Sequence, residues 1–186
     1  VRPSPAISPL ARALFAGALL ALAGCGGASA RARALAPHEG RAAELFDDVI
    51  EPRAVGLDIE EKLTPRTDPT LRERTQLGDA VVRVRVDNVT ATGAGANVRW
   101  SIGLRVLEKL AGAHPPPDTF VVTLDRSSPS AGILGSLQGR ISGRTFVAFV
   151  KEFAAGEDGA FHFHMAPDTK DVRQAVEEAV ALGEFK

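Results

Sequence analysis

One cysteine, Cys25, is all this chain of 186 residues has. No disulfide within it can brace the fold, so an exported form has to hold itself together by its core. A long apolar run is lacking too. The charge-free stretch 13–24 has 12 residues, a reach of roughly 18 Å as a helix against a hydrocarbon core of ~30 Å, too short for a permanent membrane span. Chemical signatures are equally scarce. Ser127, Ser128, Ser130 and Ser136 sit in neither GxSxG nor a serine-lysine pattern, so turn chemistry accounts for them. Gly132, Gly135 and Gly139 match neither the GxxxxGK[ST] phosphate loop nor a dinucleotide fingerprint. No internal repeat is present.

What is there begins with an address. Arg2 and Arg12 precede the apolar stretch with no acidic residue among them, and the stretch ends in Leu22-Ala23-Gly24-Cys25. A basic segment, an apolar segment and small residues before a cleavage point are the parts of an export signal. This motif resembles the lipobox of bacterial lipoproteins. The resemblance implies cleavage before Cys25, lipid on its thiol and attachment to a membrane. Gly26, standing where an aspartate would favour inner-membrane retention, implies the outer membrane of a two-membrane cell. Without residues 1–24 the chain carries 20 basic and 23 acidic side chains, a balance of −3. That is the wrong sign for binding nucleic acid through phosphates.

Small and charged residues without an apolar period make 25–40 a flexible tether. Ala42, Leu45, Phe46, Val49 and Ile50 then recur at helical spacing up to Pro52, which predicts an amphipathic helix. Asp68-Pro69 is an N-cap with proline in the first turn, and Gly78 closes a short helix over Pro69–Leu77. From Ala80 the period becomes two. Val82, Val84 and Val86 alternate with Arg83, Arg85 and Asp87; Val98, Trp100, Ile102, Leu104 and Val106 with Arg99, Ser101 and Arg105; Phe120, Val122 and Leu124 form a third set. Such runs are half-buried strands. One or two helical turns are expected within 127–138, strands over 145–153 and 160–165, and a helix from about Thr169 to Leu182 ended by Gly183.

Three meandering strands, a helical insert, two more strands and a final helix make the expected class mainly β with flanking helices: a five-stranded OB-like barrel or curled antiparallel sheet with a C-terminal helix. The expected organisation is a signal peptide over 1–24, a tether over 25–40, a helical extension over 41–78 and an OB-like domain over 79–186. The first strand GlyAspAlaValValArgValArgVal, the LeuArgValLeuGluLysLeuAlaGly run and GlyArgThrPheValAlaPheVal resemble netrin-like modules related to tissue inhibitors of metalloproteinases. Those inhibitors act through a free N-terminal cysteine and disulfides, so their activity transfers to no residue here.

Phe161-His162-Phe163-His164 is the most distinctive polar motif. A strand puts both imidazoles on one face, about 7 Å apart, and His162 and His164 are candidate transition-metal ligands if His114 or a carboxylate supplies a third. The competing expectation sends Phe161 and Phe163 into the core and leaves both histidines on the wet face, with no bound metal or cofactor. Asp47-Asp48, Glu60-Glu61 and Glu177-Glu178 are expected on solvated helix faces. Arg83, Arg85, Arg99 and Arg105 are expected to form an exposed patch, for contact with an envelope protein, polymer or lipid headgroup or for solubility alone. Together these features point to a lipid-anchored, non-catalytic binding or structural module, with a metal-binding envelope protein as the alternative and an extracytoplasmic hydrolase below it.

Overall fold

A computed structural model describes residues 33–59, 64–155 and 158–183. Its helices are α1 (Gly40–Leu45), α2 (Pro69–Leu77), α3 (Ala131–Ile141) and α4 (Lys170–Gly183). Its strands are β1 (Val49–Ile50), β2 (Ala80–Thr92), β3 (Arg99–Ala111), β4 (Thr119–Asp125), β5 (Thr145–Ala155) and β6 (Asp158–Pro167). They form one sheet in the order β1-β6-β5-β2-β3-β4. All pairings are antiparallel except β1 with β6. A three-stranded meander whose first strand also pairs with a fourth, which pairs with a fifth, is the pairing of an OB-type barrel. The architecture is therefore mainly β with flanking helices, as the alternation predicts.

The sheet curls because β2 and β3 slip register three times, between Val81 and Val82, Arg83 and Val84, and Val86 and Asn88. Each bulge adds bend and twist. The curl brings the two ends of the sheet together, so that the Phe120 and Phe161 rings lie 5.5 Å apart edge to face. At Gly112 the backbone has φ +90°, and a Cβ there would fall 2.3 Å from the Asp79 carbonyl oxygen. Only glycine lets the end of β3 pass the start of β2 this closely.

Each face of the sheet has its own core. Inside the curl, Val82, Val84, Val86, Ile102, Leu104, Phe146, Ala148, Phe163 and Met165 pack with Leu134 and Ile141 of α3. Outside it, Val81, Val147, Phe149, Phe153 and Ala166 pack against Leu45, Phe46, Leu71, Val172 and Val176 from the helices. Strand β5 is thus covered on both sides, and Phe146 through Val150 are buried without a break. Removing both faces from water stabilises it by roughly 1.5–3 kcal/mol per large side chain.

Several elements depart from the sequence expectations. α1 stops at Leu45 instead of continuing to Ile50, and Val49–Ile50 becomes a strand parallel to His164 and Met165. The apolar spacing is real, since Leu45, Phe46 and Ile50 are buried, but Leu45 and Phe46 enter the outer core and Ile50 the inner one. A straight helix cannot serve both. The chain turns between them at Asp48, whose φ of +57° is the one positive value at a non-glycine residue described here. The insert between β4 and β5 is longer than two turns, with a kink at Leu137. Residues 35–40, assigned by composition to the tether, lie on the domain: the Ala154 N–H donates to the Ala36 carbonyl at 2.9 Å. α2 has its expected bounds, and the Asp68 carboxylate caps it by accepting from the Thr70 N–H at 2.8 Å.

Candidate functional site: the seam between residues 46–51 and β6

Alternation along β6 sends Phe163 fully into the inner core and Phe161 partly so, and puts His162 and His164 on the opposite face. That part of the expectation holds. The opposite face is not wet: His164 is only 6% exposed, because the segment following α1 lies across it. The solvent-facing placement is therefore corrected for His164, whereas His162 is half-buried, its side chain 24% exposed. The alternation pattern shows which face a residue occupies; whether another layer covers that face is settled by segments distant in sequence.

The cover is polar at its centre. The Asp48 N–H donates to the Phe163 carbonyl at 2.8 Å, and its carboxylate accepts from the Phe163 N–H at 3.2 Å and meets His162 Nδ1 at 2.8 Å. These bonds hold the left-handed backbone at Asp48, which asparagine and aspartate tolerate better than other side chains. His164 is gripped on both sides, Nδ1 lying 2.9 Å from Asp47 Oδ1 and Nε2 3.1 Å from Glu51 Oε1. Arg74 of α2 completes the group. Its Nε donates to the Leu45 carbonyl at 2.8 Å, and its guanidinium stands 4.0 Å from Asp47.

These contacts set the protonation balance. Burial pushes the His164 imidazole down, the bonds to Asp47 and Glu51 push it up, and the net displacement is upward from its ordinary value. Burial also lowers Arg74, against the pull of Asp47 and Glu51. The acidic pair Asp47-Asp48 is thus spent on the histidines, not on solvent. His38 joins from the entering arm. Its ring stacks on His162 at 3.6 Å and meets Phe153 edge-on at 4.7 Å, while Nε2–H donates to the Phe46 carbonyl at 2.9 Å.

Ser130, which sequence reasoning assigned to turn chemistry, locks the seam from the other side. Its hydroxyl accepts from the Ile50 N–H at 2.7 Å and donates to the Asp48 carbonyl at 2.6 Å. Ser130→Ala leaves both buried backbone groups without that partner, and is expected to cost about 2 kcal/mol. Urea unfolding of the variant checks this; a loss below about 0.5 kcal/mol would mean the hydroxyl is dispensable.

As a metal centre the seam offers little free ligand capacity. Both His164 nitrogens and Nδ1 of His162 already face carboxylates. His114 is exposed in the β3–β4 loop, with its N–H given to the Asp79 carbonyl. Among the described residues no three His, Cys, Asp or Glu side chains are grouped to hold a metal ion. The arginine patch is on the exposed face, with Arg85, Arg99 and Arg105 all exposed and Arg83 half-buried. Arg83 bonds Asp168 at 2.6 Å, and Arg85 and Arg105 share Asp87 at 3.1 and 2.7 Å. Glu178 pairs with Arg66. Glu60-Glu61 and the lipobox with Cys25 lie outside the described residues.

Arg74 and Ser130 carry no local signature, since each meets the seam across a long stretch of sequence, and His38 reaches His162 across a longer one. One signal was available: Asp47 and Glu51 are four residues apart, and the turned backbone between them spans one imidazole. No protein-family model matches this chain, and no curated protein matches it.

Proposed function

We propose that this chain is an exported lipoprotein, held on a membrane by lipid on Cys25, whose OB-like domain binds an envelope protein or polymer or serves as a structural module. One observation carries the reading: the only cysteine of the chain falls at the end of Leu22-Ala23-Gly24-Cys25, directly after a basic segment and a charge-free run. Gly26 favours the outer membrane where there are two. Nine residues, 26–34, separate the lipidated position from Leu35, the first residue of the compact unit. Fully extended, the stretch from Cys25 to Leu35 spans at most about 36 Å.

The non-catalytic part of the reading rests on where the polar side chains go. Asp47, Asp48, Glu51, Asp87 and Asp168 are all bonded to cations or imidazoles of the same domain. Carboxylates so engaged hold a scaffold together. Cys25→Ala tests the anchor: in cells fed labelled palmitate, the variant is expected to lose all lipid label and leave the membrane fraction, with an unchanged circular dichroism spectrum. A variant that stays labelled and membrane-bound sinks the proposal. Recovery of a specific envelope component with the lipidated protein supports the binding role, and turnover of generic ester or peptide substrates would replace it.

A further inference from the structure

The seam contains an imidazole with a carboxylate at each nitrogen. Ionised carboxylates only accept hydrogen bonds, and a neutral imidazole has one N–H to give. Two such contacts at 2.9 and 3.1 Å require either an imidazolium or a protonated carboxylate. The neighbours decide between them. From the seam come Asp47, Asp48 and Glu51, from α2 comes Arg74, from β6 His162 and from the arm His38, while β5 contributes the uncharged Phe149 ring 6.5 Å away. Asp47, Asp48 and Glu51 outnumber the Arg74 guanidinium around the ring, and a charged His164 reduces that negative excess.

We propose that His164 is held as an imidazolium clasp between Asp47 and Glu51, so that the hold of residues 47–51 on β6 depends on pH, tight when the ring is doubly protonated and weaker when it is not. When the ring loses its proton, one carboxylate faces a nitrogen lone pair on a buried ring. The upward displacement of this imidazole agrees with that geometry. A group whose pKa is raised by folding contributes stability that is complete below the unfolded value, near 6.5 here, and is lost as pH rises through the folded value. Within that window the loss is up to tenfold in the local opening constant per pH unit.

The clasp does not depend on the lipid, and goes beyond the anchor reading. If that reading holds, the pH-dependent contact lies wholly within the anchored module, both of its sides falling in residues 35–186. The test uses the full chain with Cys25→Ala, in which neither outcome reports on anchoring. Nitrogen NMR of the histidine rings, assigned with His164→Gln, is expected to show both His164 nitrogens protonated at pH 6.5. Hydrogen-exchange protection at Val49, Ile50 and Glu51, whose N–H bonds the Met165 carbonyl at 2.9 Å, is expected to fall as pH rises above 6.5 and then level off. In His164→Gln that fall disappears. A His164 ring with one bare nitrogen at pH 6.5, or wild-type protection that ignores pH, overturns the proposal. If the glutamine variant does not fold, the wild-type ring titration and protection profile decide the matter.

Discussion

Phe46→Ala is expected to cost about 3–5 kcal/mol of folding stability, the usual range for deleting a fully buried phenylalanine side chain. Phe46 is fully buried, and its ring lies 6.2 Å from that of Phe153. It belongs to the outer core with Leu45, Val147, Phe149, Val172 and Val176, which come from two helices and the central strand. Collapse around the vacancy is hindered because β5 is also pinned from its other face by the inner core. Part of the cost is a cavity that the neighbours cannot refill. Urea unfolding measures it, and a loss under about 1 kcal/mol would show that the helical layer is not a packed second core.

Asp168→Ala is expected to cost about 2 kcal/mol at neutral pH, with most of that difference gone in acid. Its carboxylate, 6% exposed, bonds Arg83 of β2 at 2.6 Å and Arg173 of α4, tying the last helix to the sheet. Removing one partner of a buried pair costs roughly 3–5 kcal/mol. Here the two guanidinium groups remain about one-third exposed and regain water, so the loss is smaller. Burial raises the Asp168 carboxyl, the bonds from Arg83, Thr145 and Arg173 lower it, and the net displacement is below the ordinary 3.8. Its contribution is therefore present above that value and lost as pH falls through the folded value. Unfolding midpoints of both proteins at pH 7 and in acid check this. Equal stability at pH 7 would refute it.

The sequence pattern and the structure agree where a local rule has a local cause. The Asp68-Pro69 cap gave α2 its limits because the capping bond spans two residues. Alternation in 80–89, 98–106 and 119–124 placed Val82, Val84, Ile102, Leu104, Val122 and Leu124 on the inner face, since a strand has only two faces to choose between. The same rule put Phe163 inward and His164 opposite. What it could not give was the identity of the far side. Phe149 and Val147 of β5 pack in one core with Phe46 and Val176, which no short window contains. Asp47 and Asp48 fitted a solvated helix face until the strand pairing of Val49 and Ile50 with His164 and Met165 turned them toward the imidazoles. Tertiary pairing overrode helical spacing there, and the left-handed Asp48 marks where.

The central position of β5 also sets the order in which the chain finds its shape. Its partner β2 begins at Ala80, opposite Val150, so the pair closes a loop of about seventy residues, the kind of non-local contact that makes folding slow. A chain that emerges from synthesis N-terminus first presents β2, β3 and β4 as a meander with neither side covered. The inner core waits for Phe146 and Phe163, and the outer one for Val172 and Val176. Acquisition of structure is therefore a late and collective event. A chain made only as far as β4 has a sheet edge and two apolar surfaces bare, and one made as far as β6 still lacks the outer cover of Val172 and Val176, each a substrate for chaperones and proteases.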